Sequence, residues 1–342
     1  MRILIIGGTR FMGPHIVRQF VNDGHDITLF HRGETKADLP DSVEHIHGNR
    51  NKLPDYKTEL TRLKPDVVLD MMLRFEWQAV DLMKTFDGNA DRVVIASSID
   101  VYRNYGLAIG SESGNVYNAR LTEDAPLRET LYPYRNRATG PDDWQNDYDK
   151  IPIEREILAH KSLPGTVLRL PMVYGPHDPQ HRLYPYLKRM LDNRPAILLD
   201  QKQIDARWIR GYVEDIAAGI ALAVTDSRAD DRIYNVCQSS AMTELEWIAH
   251  IAATVGWSGK VVGLPKDKLP EHLCEEIRFE AHLNADSKRV RNELGYKEII
   301  DFNEGLKRTV AWEKDNPPLS VDPDDYNYEA EDKALSEIDT TD

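Results

Sequence analysis

Seven residues near the start of the chain, Gly7-Gly8-Thr9-Arg10-Phe11-Met12-Gly13, follow directly on the apolar run Ile3-Leu4-Ile5-Ile6. Glycines in such a turn let backbone approach a pyrophosphate, and a helix opening there turns unpaired N–H groups and a positive dipole end toward it. Gly7, Gly8 and Gly13 suit that role. Arg10 occupies the place of the middle glycine in the usual three-glycine spacing, and Arg32 stands just after the second apolar run, where an acidic residue would ordinarily hold ribose hydroxyls. Two guanidinium groups there suit a 2′-phosphate, so NADP is the expected dinucleotide and NAD the second option. The competing reading of Arg32 is a solvated loop residue.

Histidines offer a second kind of chemistry. His45 and His47 flank Ile46 in a short extended run, so both face one side, but no third ligand lies close by in sequence and no metal site is expected. His177 and His181, four residues apart, read as a solvated loop pair.

These residues need a frame. The run 3–6, the glycine turn and then Ile16, Val17, Phe20 and Val21 at helical spacing make a strand, a turn and a helix. Further strands are expected at 25–30, 43–47, 66–70 and 92–97, with a helix around 77–86. Alternation of this kind indicates βαβ units, right-handed crossovers and a parallel sheet. A polar, aromatic-rich insertion at about 103–147 is too long for an ordinary connection. A helix is expected over 148–160 and a strand over 166–170, completing a dinucleotide-binding domain at 1–171. Residues 172–315 read mainly as a substrate-binding lobe with some segments returning to the first domain. Residues 316–342 read as an acidic tail with little to bury, either mobile or pinned to a neighbour.

Composition narrows the classes. The net charge of −14 is concentrated at the end, since residues 313–342 carry eleven acidic side chains and two lysines and so hold −9 of it. A broad basic face for nucleic acid is therefore not expected. Cys237 and Cys274 show no ligand or disulfide spacing, and no apolar run approaches 18 residues. The expectation is a cytoplasmic protein with no membrane segment.

Beyond the turn, the segments Ser97-Ser98-Ile99-Asp100-Val101-Tyr102, Leu168-Arg169-Leu170-Pro171-Met172-Val173-Tyr174-Gly175-Pro176, Tyr212-Val213-Glu214-Asp215, Tyr234-Asn235-Val236 and Glu293-Leu294-Gly295-Tyr296 occur in order. Together they resemble the extended short-chain dehydrogenase/reductase superfamily of nucleotide-sugar epimerases and dehydratases. The resemblance implies an α/β, Rossmann-type doubly wound parallel sheet with a smaller C-terminal substrate-binding lobe. It also implies an active site of Ser, Tyr and Lys, in which the Lys lowers the Tyr pKa and holds the nicotinamide ribose. Ser98 and Lys150 carry over. The Tyr does not: four residues before Lys150 stands Asn146, which cannot carry a proton near neutral pH. Tyr148, only two residues from Lys150, or Tyr102 would have to substitute. The Tyr148-Asp149-Lys150 run and the T-R-F-M-G turn are similar to an atypical branch that includes chloroplast stem-loop RNA-binding proteins.

The function implied is hydride transfer on a sugar or nucleotide-sugar, in an epimerase/dehydratase-like or reductase reaction, by catalytic residues Ser98, Tyr148 and Lys150. Arg207 or Arg210 would meet a nucleotide diphosphate, unless both merely belong to a surface strand. The alternative is an NADP-binding regulator or RNA-binding protein with little redox turnover. A small-molecule substrate and, as an oligomeric option, a second copy of the chain are the expected partners.

Overall fold

The computed structural model describes residues 1–339. Its central sheet begins with β1 (Arg2–Ile6), whose glycine turn leads into α1 (Met12–Asn22) and then β2 (Asp26–His31) and β3 (Glu44–His47). Next come α2 (Lys57–Arg62), β4 (Val67–Asp70), α3 (Glu76–Phe86) and β5 (Arg92–Ser98). The insertion follows with α4 (Arg103–Ala108), and α5 (Lys150–Ala159) returns the chain to β6 (Gly165–Leu170).

The second half holds β7 (Met172–Tyr174), α6 (Tyr184–Leu191), β8 (Ala196–Asp200), β9 (Arg210–Tyr212), α7 (Val213–Thr225), β10 (Ile233–Asn235), α8 (Glu244–Val255) and β11 (Lys260–Leu264). It ends in α9 (Lys288–Leu294), α10 (Phe302–Asp315) and α11 (Tyr328–Asp339).

Seven strands form one parallel sheet in the order β10-β6-β5-β4-β1-β2-β3. This is the doubly wound sheet expected, with strand order reversing on either side of β1. Strand alternation divides its side chains between two cores. Ile3 and Ile5 join Val17, Phe20 and Ile216 on the face covered by α1 and α7, whereas Leu4 and Ile6 join Leu82, Phe86, Ile153 and Ile157 under α3 and α5. Two small parallel pairs, β7 with β9 and β8 with β11, build the second lobe. β10 joins the central sheet and α7 packs on its face although both lie late in the sequence.

The insertion is held from within. Arg128, with a fully buried side chain, donates to the Asp100 carbonyl at 2.7 Å, to the Thr130 carbonyl at 2.8 Å and to Asp149 at 2.8 Å. One guanidinium thus ties the insertion to the exit of β5 and to the start of α5.

The acidic tail differs from the expectation of a mobile segment or one held by a neighbour: it docks on its own chain. Glu331 is buried against Arg189 (2.6 Å) and His272 (3.1 Å). Ala334 and Leu335 pack against the core of Ala196, Leu198, Leu264 and Leu269, while Arg194 lies over the Tyr328 ring. A few apolar and aromatic residues suffice because a buried charge pair anchors the helix that carries them. Among the described residues, no helix is long and apolar enough to cross a membrane.

Candidate active site

The glycine turn has the backbone that its residues dictate. Gly7 and Gly8 have φ of 99° and 87°, in the left-handed region that favours glycine. A Cβ on Gly13 would lie 2.4 Å from the Gly8 carbonyl group, so only glycine lets α1 sit this close to the turn. Phe11 precedes Met12 at φ 51° and gives α1 no side-chain cap, and the first turn of α1 has no acidic residue. The helix N-terminus is thus left for an anionic ligand.

Arg10 and Arg32 each bond to a residue of the loop after β2. Arg10 Nε donates to Thr35 Oγ1 at 2.8 Å, and Arg32 pairs with Glu34 at 2.8 Å while remaining well exposed. Thr9 and Met12 complete the turn. The close-approach cradle and the uncapped helix end fit the pyrophosphate of a nicotinamide dinucleotide.

The second part of the site lies at the C-terminal end of β5. Ser98 is the last residue of that strand, and its Oγ accepts from the Asp100 amide at 3.2 Å, which leaves its proton to donate. Tyr148 donates its phenol proton to Asp100 Oδ2 at 2.7 Å. Lys150 is buried and gives protons to the carbonyls of Leu73 and Ala96, the latter at 3.1 Å. An ammonium has three donors, so one remains.

α5 starts later than the 148–160 reading. Asp149 caps it by accepting the Ile151 amide at 2.9 Å, and Lys150 is its first residue. Tyr148 therefore stands before the helix, bridged to Phe75, so its position relative to Lys150 is set by the extended chain ahead of α5 and not by helical spacing. Asn146 lies farther back in a 3-10 turn, its amide donating to the Gly140 carbonyl at 2.7 Å. It is held in the insertion. Tyr102 is also excluded as a proton carrier, because its buried hydroxyl donates to Asn235 at 2.7 Å and accepts from Arg169 at 3.1 Å.

The electrostatics depart from the Tyr/Lys pattern that the resemblance implies. Burial pushes the Tyr148 phenol well above its ordinary range, and the Asp100 charge adds to this. Lys150 Nζ is 6.0 Å from the Tyr148 ring centre, and burial lowers its own pKa. Burial likewise raises the Asp100 carboxyl, against the opposing pull of Tyr148, Arg128 and Lys150. Asp100 Oδ1 is buried without a partner. The group that accepts the Tyr148 hydroxyl is thus a carboxyl, two residues after Ser98 in the same motif. Its signal in the sequence was an acid at the exit of an apolar strand.

Ser98, Asp100 and Tyr148 line a cleft of about 500 Å³ between the two lobes. Tyr105 and Tyr134 of the insertion share a hydroxyl bond on its wall, and Trp144 packs edge-on to Tyr148. Arg210 reaches the cleft from β9, where it pairs with buried Glu244 at 2.7 Å over the Trp247 ring. Arg207 points elsewhere, donating to the Ala241 carbonyl at 2.8 Å. His181 pairs with Glu313 at 2.8 Å and stacks on Trp312.

A model of the NAD dependent epimerase/dehydratase family matches residues 3–237, and the chain belongs to that family. It is 23% identical over 329 residues to the chloroplast stem-loop binding protein of 41 kDa b of Arabidopsis thaliana, covering 89% of this chain and 77% of that one. It is 25% identical over 332 residues to the UDP-N-acetyl-alpha-D-glucosaminuronate decarboxylase of Bacillus cytotoxicus, covering 91% and 97%. Its fold is similar to that of dTDP-glucose 4,6-dehydratase from Bacillus anthracis in complex with NAD, with a TM-score of 0.68, 17% identity and coverage of 93% and 97%.

Proposed function

We propose that the protein binds NADP(H) at the glycine turn and catalyses reversible hydride transfer at a carbinol of a sugar or nucleotide-sugar. The observation that carries the reading is the Tyr148–Asp100 hydrogen bond, on the wall of a cleft that also holds Ser98. The cofactor supplies the hydride chemistry. Lys150, with two donors fixed on carbonyls, would have its third to hold the nicotinamide ribose. Ser98 donates to the carbinol oxygen and holds it.

Tyr148 cannot rest as a phenolate, so it works by exchange. As its oxygen takes the carbinol proton, its own proton passes to Asp100 Oδ2. The carbinol proton thus ends on the Tyr148 oxygen and the former Tyr148 proton on the Asp100 carboxyl, and the reverse step returns both. Epimerisation would reverse the transfer on the other face of the ketone, whereas a simple reduction would stop after one transfer.

Arg210 and, in the same cleft, Arg182 offer charge to a phosphate, but both already pair with carboxylates, Glu244 and Asp178. A nucleotide-sugar diphosphate would have to compete with those carboxylates for the two guanidinium groups, whereas a free sugar would not. The test incubates the purified protein with NADP(H) and a panel of UDP-, dTDP- and unmodified sugars and follows both absorbance at 340 nm, which reads net reduction or oxidation, and the sugar products by chromatography, which reads epimerisation that returns its hydride. Turnover lost in Tyr148→Phe and Asp100→Asn is expected. NADP(H) binding without turnover on any sugar would overturn the catalytic reading in favour of a cofactor-bound regulator.

A further inference from the structure

The edge of the sheet carries three histidines that the sequence keeps apart. His31 ends β2 and His45 and His47 lie on β3, which pairs with β2 in the register Leu29↔His45 and His31↔His47. Parallel pairing places all four side chains on one face, because residues i and i+2 share a face and aligned partners point the same way. Leu29 is buried beneath, so the three imidazoles fill the remaining corners. Their ligating atoms lie within 4.8 Å of one another, and among the described residues they are the one such group of three His, Cys, Asp or Glu.

From this we propose that His31, His45 and His47 bind one divalent cation of the zinc class. Imidazole suits zinc, copper and nickel, whereas calcium and magnesium take oxygen donors, and this cluster contains no carboxylate. Zinc binds nitrogen at about 2.0–2.1 Å, which sets tetrahedral donors about 3.3 Å apart. His31 Nε2 and His45 Nδ1 are already 2.8 Å apart, and the His31 ring meets the His47 ring edge to face at 5.0 Å. Two nitrogens at that separation share one proton, and a cation between them would take its place. His45 and His47 are exposed and free to adjust their rotamers, leaving a fourth position for water.

The cluster is connected to the loop after β2. His31 Nδ1 accepts the Gly33 amide at 3.1 Å, so its proton sits on Nε2. Ligation through Nε2 moves that proton to Nδ1 and breaks the Gly33 bond. Gly33 takes φ 78°, in the left-handed region that favours glycine, and its α-carbon lies against the His47 ring, so the loop and the histidine cluster are in contact. The cation would therefore pin β3, the edge strand of the sheet, to β2 and reset the loop that carries Arg32 and Glu34. This site lies apart from the Ser98 cleft and does not depend on the catalytic reading.

The experiment is zinc titration of the full chain, after removal of bound metal, in competition with a chromogenic chelator. One equivalent at micromolar affinity is expected, with His45→Asn and His47→Asn each weakening it at least about tenfold. Both positions are exposed, and a thermal melt without metal checks that the variants fold. Electron paramagnetic resonance of the Cu²⁺ form should show imidazole nitrogens that are lost from the His45→Asn/His47→Asn double variant. Zinc affinity unchanged within about twofold in that double variant, or no saturable zinc binding by the parent, would overturn the site.

Discussion

Tyr148 donates to Asp100, a carboxylate two residues downstream of Ser98, where the Tyr/Lys pattern would leave the phenol to a nearby ammonium. In the proposed reaction this bond gives a hydroxyl that burial keeps from ionising a route by which to pass its proton on. Asp100→Asn keeps the shape and an acceptor for Tyr148 but removes the proton's destination. Turnover is expected to fall by about 10²–10⁴, the range for loss of a positioned acid/base. Tyr148→Phe should fall as far, with NADPH affinity changed by no more than a few tenths of a kcal/mol, as for a hydroxyl used only in the transition state. Steady-state kinetics beside a fluorescence titration of NADPH would decide, and full activity in either variant would remove the pair from the mechanism.

The same carboxyl predicts two pH effects. Its folded pKa lies above 3.8 because it is buried, so the folded state binds this proton more tightly than the unfolded chain does. The group's contribution to stability is therefore present at low pH and is lost as pH rises through the folded value. Asp100→Asn removes that loss, so its stability relative to the parent should grow between pH 4 and pH 8 in urea unfolding. In turnover, the oxidation direction needs the ionised carboxylate, and its acid limb should lie above the ordinary carboxylate range. A relative stability that stays flat with pH would show that Asp100 titrates normally.

How much of this was legible beforehand follows from which contacts are local. Strands 3–6, 92–97 and 166–170 were readable because a parallel sheet buried on both faces demands continuous apolar runs. The glycine turn was readable because its conformation is a property of Gly7, Gly8 and Gly13 themselves. The partner of Tyr148 was not, since Asp100 lies 48 residues away and reaches it only through the fold of the insertion. Nor could spacing show that α5 begins at Lys150, which Asp149 fixes by capping. The tail misled for a related reason: composition counts its charges but does not show that Glu331 has a buried arginine waiting.

Cofactor choice should respond to two residues in opposite senses. Arg32 is exposed and its charge is shared with Glu34, so solvent and the carboxylate both weaken what it offers a 2′-phosphate. Arg32→Ala is expected to cost NADPH about tenfold and NADH little, which is the lower end for a charge-assisted bond. Glu34→Gln frees the guanidinium and removes a negative charge, and should tighten NADPH relative to NADH. Parallel titrations with both cofactors give the ratio. Equal losses for NADPH and NADH in Arg32→Ala would assign Arg32 to solvent.

The docked tail gives the last test, and its sign depends on where Arg189 goes. Arg189 gives Nε and Nη2 to one oxygen of Glu331, at 3.0 and 2.6 Å, and a further bond from Nη2 to the Asp325 carbonyl at 3.0 Å. Glu331→Ala leaves this guanidinium buried without its counter-charge, a change that costs about 3–5 kcal/mol where the site cannot open. Here it can open, because undocking α11 returns Arg189 to water. The penalty is then capped at the free energy of docking, which the apolar contacts of Ala334 and Leu335 and the cation–π contact of Arg194 with Tyr328 also support. Glu331→Ala is therefore expected to destabilise by about 3 kcal/mol at most, and never by more than truncation after Asn316. Hydrogen exchange should show residues 328–337 opening first in the point variant while the central sheet stays protected. A truncated chain that melts with the parent would mean that the tail adds no stability to the body, and Glu331→Ala would then be silent as well.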